Sequence, residues 1–176
     1  MRRITTAGRG HTRVLNDLMQ NLLVTELLVP SAQLWVLSPW ISDIDVIDNS
    51  AGQFATILPG LPSRMVRLTE VLIELARRGT DVRVLTRDVE SNLVARQRLE
   101  NVGGLGARPT MRTHANLHDK GILGDRFHLQ GSMNFTFFGQ AVNAEGVTLT
   151  NDPHAIAEAR LTYNALYKEG VGHGGA

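Results

Sequence analysis

The sequence predicts an α/β sandwich: a mixed β-sheet with helices on both faces. Three observations lead there. Apolar residues repeat with helical period in several stretches, short apolar runs of strand length alternate with them, and Gly, Pro and Asp signals fall at the junctions. With 176 residues, 43% hydrophobic and 20% charged, the chain is long enough for one domain with a buried core and lies outside the composition of disordered chains. One domain over 1–176 is expected, with its core from about 33 to 167.

Between about 12 and 29, Leu15, Leu18, Met19, Leu22, Leu23 and Leu27 recur at three- and four-residue steps, and Pro30 closes this first amphipathic helix. Gln33–Leu37 is too short for a helix and reads as a buried strand ended by Ser38-Pro39. Residues 43–62 keep no period and are expected to form a long loop or insertion. A helix is expected after Ser63, with Met65, Leu68, Leu72 and Leu75 as its apolar stripe and Gly79 as its stop. Asp81–Thr86 reads as a strand, Ser91–Val102 as a helix stopping at Gly103-Gly104, and Arg108–Thr113 as an extended segment. Lys120–Leu123 and Phe127–Gln130 read as strands around a Gly124-Asp125 turn, and Gly146–Thr150 as a further strand. Asp152 and Pro153 place a cap and a first-turn proline before a helix carrying Ile156, Tyr163, Leu166 and Tyr167, ended by Gly170. A frayed tail is expected over 170–176.

Composition excludes several classes. The chain has no cysteine, so disulfide scaffolds, Fe–S clusters and thiol nucleophiles are ruled out. A net charge of +1 excludes a polybasic tail but not a local basic face. No run approaches the ~18 apolar residues of a membrane span, and the opening residues have no apolar signal-peptide core; a soluble cytoplasmic protein is expected. Sixteen of the 18 basic residues are arginine, which singles out Lys120 in mid-chain.

Lys120 belongs to a constellation: His118-Asp119-Lys120, then Asp125, then Gly131-Ser132-Met133-Asn134. In an extended strand His118 and Lys120 share a face, which sets an imidazole beside an ammonium. That pairing suits a phosphate. Lys120 and the Asn134 amide can donate to phosphoryl oxygens, a neutral His118 can attack phosphorus, and the small Gly131-Ser132 pair permits close approach to the anion.

These residues, HDKGILGD followed by GSMN, resemble the signature of the phospholipase D superfamily. Phe135-Thr136 and Ala144-Glu145-Gly146-Val147 are similar to its single-motif bacterial endonucleases. The stretch from Leu68-Thr69-Glu70 through Arg77-Arg78-Gly79-Thr80 to Val84 extends the likeness, which covers roughly Gln33 to Tyr167. The resemblance implies a phospholipase D-like α/β/α sandwich and a metal-independent phosphodiesterase without cofactor. It implies His118 as nucleophile, Lys120 and Asn134 as phosphate-binding residues, Ser132 as the small polar residue beside the phosphate, and Glu145 as hydrogen-bond partner of the histidine's second nitrogen. Gly131 and Asp125 would be structural. Two departures stand out: the 43–62 insertion, and a spacing from Asp125 to Gly131 one residue shorter than the pattern, which puts the structural role of Asp125 in question.

One motif supplies one histidine, whereas the chemistry wants a nucleophile and a separate general acid; a homodimer with motifs meeting across the twofold axis supplies both. Nucleic acid is the expected substrate, cleaved through a phosphohistidine. The arginines between Arg64 and Arg112 outnumber the acids there, although many would simply line solvated helix faces. Trp40, in the turn after the first strand, is the best candidate to stack on a base, while Trp35 and Phe135–Phe138 read more naturally as core. No sequence-reading module is evident, so target selection would fall to the 43–62 loop or a partner protein. Two alternatives stay open: a phospholipid phosphodiesterase or phosphatidyl transferase, although a membrane partner is not expected, and a catalytically silent nucleic-acid-binding subunit. His114, four residues before His118, does not form a plausible zinc pair on a strand, and His128 reads as a strand residue near the surface.

Overall fold

The computed structural model describes residues 2–5, 9–56, 59, 63–102, 107–136 and 146–172. Its centre is an eight-stranded mixed sheet. The strands are β1 (Arg2–Thr5), β2 (Gln33–Leu37), β5 (Asp81–Thr86), β6 (Thr110–Thr113), β7 (Gly121–Leu123), β8 (His128–Gly131), β9 (Gly146–Thr150) and β10 (Val171–Gly172), in the order β1-β9-β8-β7-β2-β5-β6-β10. Strands β2, β5 and β6 run parallel, and the remaining pairings are antiparallel. A separate hairpin pairs β3 (Asp45–Asp48) with β4 (Met65–Arg67).

Alternation along the strands divides the core between the two faces. In β2, Leu34 and Val36 point to one face and Trp35 and Leu37 to the other. The first face is covered by α1 (Arg9–Leu28), α2 (Leu68–Arg77) and α3 (Leu93–Glu100). In α1, Leu15, Met19, Leu23 and Leu27 are buried at steps of four. The opposite face is covered by α4 (Pro153–Glu169), whose Ile156, Tyr163 and Tyr167 pack on Trp35, Leu85 and Leu123. Trp35 and Tyr167 meet edge to face at 5.3 Å. The expected sandwich with helices on both faces is thus the observed architecture.

The ends of α4 follow from its sequence. Asp152 accepts a hydrogen bond from the His154 N–H, Pro153 opens the first turn, and the Gly170 N–H caps the carbonyls of Leu166 and Tyr167. Three other boundaries differ from the sequence reading. The stretch expected as an irregular loop contains β3, and Met65 lies in β4, so α2 begins only at Leu68. Val66 is fully buried opposite Ile47, and that cross-strand pairing outweighs the helical stripe. Two residues of the expected frayed tail, Val171 and Gly172, pair with Thr113 and Arg112 of β6; 173–176 lie outside the described residues, as do Gly103 and Gly104.

Asp43 and Glu70 order the entry to α2. Asp43 accepts from the Thr69 N–H and hydroxyl, and Glu70 accepts from the Arg67 N–H. Gly79, at φ +98°, ends the helix in a conformation that side chains avoid.

Candidate active site

The strand directions collect the motif at one edge of the sheet. The C-terminal ends of β2, β5, β6 and β8 and the N-terminal ends of β7 and β9 all meet there. In open α/β sheets this edge, beyond the carboxyl ends of the parallel strands, is where ligands bind.

His118 and Lys120 lie just ahead of β7 rather than within it. The expected strand geometry therefore starts one residue later than Lys120, although the Lys120 carbonyl still accepts from the Gly131 N–H at 3.2 Å and so joins the two halves of the motif. His118 is exposed, and Lys120 is half-buried with its Nζ donating to the His118 carbonyl at 2.8 Å. The ammonium is thereby held beside the backbone of the histidine.

Gly131, Ser132 and Asn134 follow on from β8. A Cβ on Gly131 would lie 2.0 Å from the Gly146 carbonyl oxygen, so only glycine lets β8 and β9 approach this closely. The close approach seen at Gly131 is to the β9 backbone. Ser132 closes the same gap twice: its N–H donates to the Gly146 carbonyl, and its hydroxyl accepts from the Gly146 N–H, each at 3.0 Å. Asn134 is half-buried, and its Oδ1 is buried without a hydrogen-bond partner among the described residues. A buried polar atom without a hydrogen-bond partner costs free energy; among the described residues Asp43, Arg96, Glu100 and His114 each carry one as well. Glu145, together with Ala144, Phe137 and Phe138, lies outside the described residues. Gly146, the residue after Glu145, opens β9 at the same edge.

Asp125 sits at the far end of the β7–β8 hairpin. Its carboxylate accepts from the Ala32 N–H at 2.6 Å and from Arg160 at 2.9 Å, and its own N–H donates to the Ser31 hydroxyl at 2.9 Å. The shortened spacing to Gly131 leaves this residue locking the hairpin turn to the start of β2 and to α4.

Trp40 follows β2 at the same edge as His118, exposed at 38%, with the Arg87 guanidinium 5.1 Å from its ring centroid. Trp35 and Phe135 are core residues, as the sequence reading favoured. Three residues that the sequence did not single out for this turn organise it. Ser38 donates to the Trp40 carbonyl and accepts from the Phe135 N–H; Arg87 donates through Nε to the Leu117 carbonyl; fully buried Asn92 donates to the Pro39 and Arg87 carbonyls and accepts from the Ile41 N–H. A buried asparagine in a polar helix start carries no signal in the sequence, because the turn it holds through Pro39 and Ile41 is more than 50 residues away.

His128 is buried rather than near the surface. Its Nε2 lies 3.0 Å from the Tyr163 hydroxyl, burial holds its pKa below the ordinary histidine value, and the Asp119 charge opposes that shift. Burial raises the Tyr163 pKa. His114 is 3.4 Å from Glu169. The arginine-rich stretch is mostly engaged: Arg64, Arg67, Arg78, Arg83, Arg96 and Arg98 each pair with a carboxylate. Among the described residues no helix is long and apolar enough to cross a membrane, and no three His, Asp or Glu side chains converge as a metal-binding set.

Residues 44–167 match the family described as cardiolipin synthase, PLD-like domain. The match begins inside the stretch expected to be an insertion. Among solved structures, the chain is similar to Nuc from Salmonella typhimurium, a phospholipase D family member, at 17% identity and TM-score 0.66, over 99% of this chain and 97% of that one. It is also similar to NucT from Helicobacter pylori at 13% identity and TM-score 0.63, over 97% of both chains. An archaeal chromatin protein, TrmBL2, described with a novel mode of DNA binding, aligns at 11% identity and TM-score 0.52, over 98% of this chain and 54% of that one. No curated protein matches the sequence significantly.

Proposed function

The chain belongs to the phospholipase D-like family, and on that premise we propose that it is a phosphodiesterase that cleaves nucleic acid without a metal ion, through a phosphohistidine, in the shared site of a homodimer. The observation that carries the reading is the convergence of the His118-Lys120 and Ser132-Asn134 segments at one sheet edge, joined by the Lys120–Gly131 hydrogen bond.

An exposed His118 attacks phosphorus with one ring nitrogen, and the P–O bond to the leaving group breaks. The partner subunit's His118 gives the leaving oxygen its proton. That second histidine then takes a proton from water as the water oxygen attacks phosphorus, the P–N bond breaks, and His118 returns neutral. Lys120 and Asn134 donate to the equatorial oxygens, where charge is greatest as bonds exchange. Glu145 orients the imidazole and stabilises its cation. The Ser132–Gly146 hydrogen bonds support this role, since they tie the start of β9 to the Asn134 segment.

The test is to incubate purified protein in excess chelator with labelled DNA, RNA and phospholipid. Cleavage of nucleic acid that survives EDTA, with a phosphoprotein trapped from the wild type by rapid alkaline denaturation, is expected. Cleavage lost in chelator and restored by a divalent ion would overturn the metal-independent route; phospholipid turnover with intact nucleic acid would move the chain to the lipid branch. Sedimentation as a monomer with undiminished turnover would overturn the shared site.

A further inference from the structure

We propose that Trp40, backed by Arg87, is a stacking platform for an unpaired nucleobase beside the scissile phosphate, so that the site favours single-stranded over duplex nucleic acid. This rests on the nucleic-acid reading above and goes beyond it by assigning the strand form and the residue that selects it.

A lone exposed aromatic is ordinary on a protein surface. Trp40 differs in how it is mounted. Its turn is clamped on both sides by Asn92, which binds Pro39 and Ile41. The Ser38 hydroxyl joins the Trp40 carbonyl to the Phe135 N–H, one residue beyond Asn134. Arg87 touches the ring at 5.1 Å and holds the carbonyl of Leu117, the residue before His118. An exposed indole is thus fixed to both segments of the phosphate site, with a cation beside it.

A flat apolar ring fixed next to phosphate-binding groups matches a nucleotide, whose base is flat and whose phosphate is anionic. A base within a duplex already stacks on two neighbours and pairs along its edge. It reaches an external ring only after unstacking at a cost of a few kcal/mol. An unpaired base carries no such cost, and preference for single strands follows. A phospholipid offers no flat ring to the indole.

Two measurements test the proposal. The first follows cleavage of a single-stranded oligonucleotide, its duplex and an oligonucleotide with abasic sites flanking the scissile position. Wild type is expected to prefer the normal single strand. Trp40→Ala should lower kcat/KM on that strand about five- to 150-fold, the range for removing a base-stacking aromatic, and bring the normal and abasic strands together; Trp40→Phe should restore most of the difference. Equal losses on normal and abasic strands, or an unchanged single-strand to duplex ratio, would overturn it. The second uses tryptophan fluorescence of His118→Ala, which binds without turnover. Because Trp35 is fully buried, quenching by the normal strand reports Trp40, and it should weaken with the abasic strand and vanish in the His118→Ala, Trp40→Phe double variant. Quenching without cleavage by wild type would retain the platform and defeat the nuclease reading; cleavage without quenching would do the reverse.

Discussion

At one end of the β7–β8 hairpin, Asp125 accepts from Ala32 and Arg160, its N–H reaches Ser31, and the neighbouring Arg126 pairs with buried Glu26. At the other end, His118 faces solvent and the Asn134 Oδ1 is buried with no hydrogen-bond partner among the described residues. The two ends belong to one sequence motif, yet one is hydrogen-bonded to its surroundings and the other leaves polar groups for something else to meet. A motif read as a single catalytic unit therefore divides in space into the half proposed to react and a locking half, separated by the length of β7.

The sharpest way to break this division is His118→Ala. Loss of a covalent nucleophile should remove activity on the order of 10⁶-fold, the scale seen when a serine-protease nucleophile is deleted, with no alkali-stable, acid-labile phosphoprotein and no change in melting temperature. A melting temperature that falls with activity would mean that His118 also locks the fold. Phosphate label persisting on the variant would place the nucleophile elsewhere, with His114 and His128 next to test.

Glu145→Gln should fall on the reactive side of the comparison. Removing a comparable orienting acid costs about 10⁴-fold, and the variant should melt like wild type while still trapping label on His118. Complete loss of label with Glu145→Gln would make the acid essential to nucleophile formation rather than to its orientation.

Asp125→Ala probes the locking half. It should lower unfolding free energy by about 1–2 kcal/mol, a modest figure because solvent reaches both Asp125 and Ala32, as read from urea denaturation. Turnover measured well below the melting temperature should stay close to wild type. A large loss of kcat without loss of stability would return Asp125 to the reactive half.

The smallest effect concerns His128, on the strand between the two ends. Its pKa is held low in the folded chain, mainly by burial, so the unfolded chain binds the proton more readily. Stability from this group is complete above the ordinary histidine value of 6.5 and declines as pH falls through it toward the lower folded value. The drop in melting temperature between pH 7.5 and pH 5 should be smaller in His128→Gln than in wild type; an equal drop would assign the acid sensitivity to carboxylates alone.

The legible parts of the fold were those whose signal is local. Asp152-Pro153 and Gly170 mark both ends of α4, Gly146–Thr150 is a strand of sufficient length to alternate, and Leu15 to Leu27 repeat over four turns. The strands not foreseen, β1, β3, β4 and β10, have two to four residues, too few to show a period. They exist because a distant partner accepts them: Arg2–Thr5 pairs with β9, more than 140 residues away. His128 is buried although nothing in its sequence neighbours announces that Tyr163, 35 residues on, covers it. The reactive half was legible as a spacing of residue types. The turn carrying Trp40 was visible only in part, since Ser38, Arg87 and Asn92 act on it through backbone atoms, and backbone partners leave no trace in composition.

The two hydrogen bonds between Ser132 and Gly146, with Ser42 and Ser38 holding Phe135 by its backbone, have an engineering consequence. Of these four contacts, Ser42 N–H to the Phe135 carbonyl and Ser132 N–H to the Gly146 carbonyl run from backbone to backbone, while the other two need the hydroxyls of Ser38 and Ser132. A hydroxyl that accepts from a backbone N–H contributes about 0.5–1.5 kcal/mol, so each serine can be exchanged for alanine without freeing its segment altogether. Ser38→Ala and Ser132→Ala therefore offer a graded way to loosen this edge of the sheet while Phe135 and Gly146 each keep a backbone anchor.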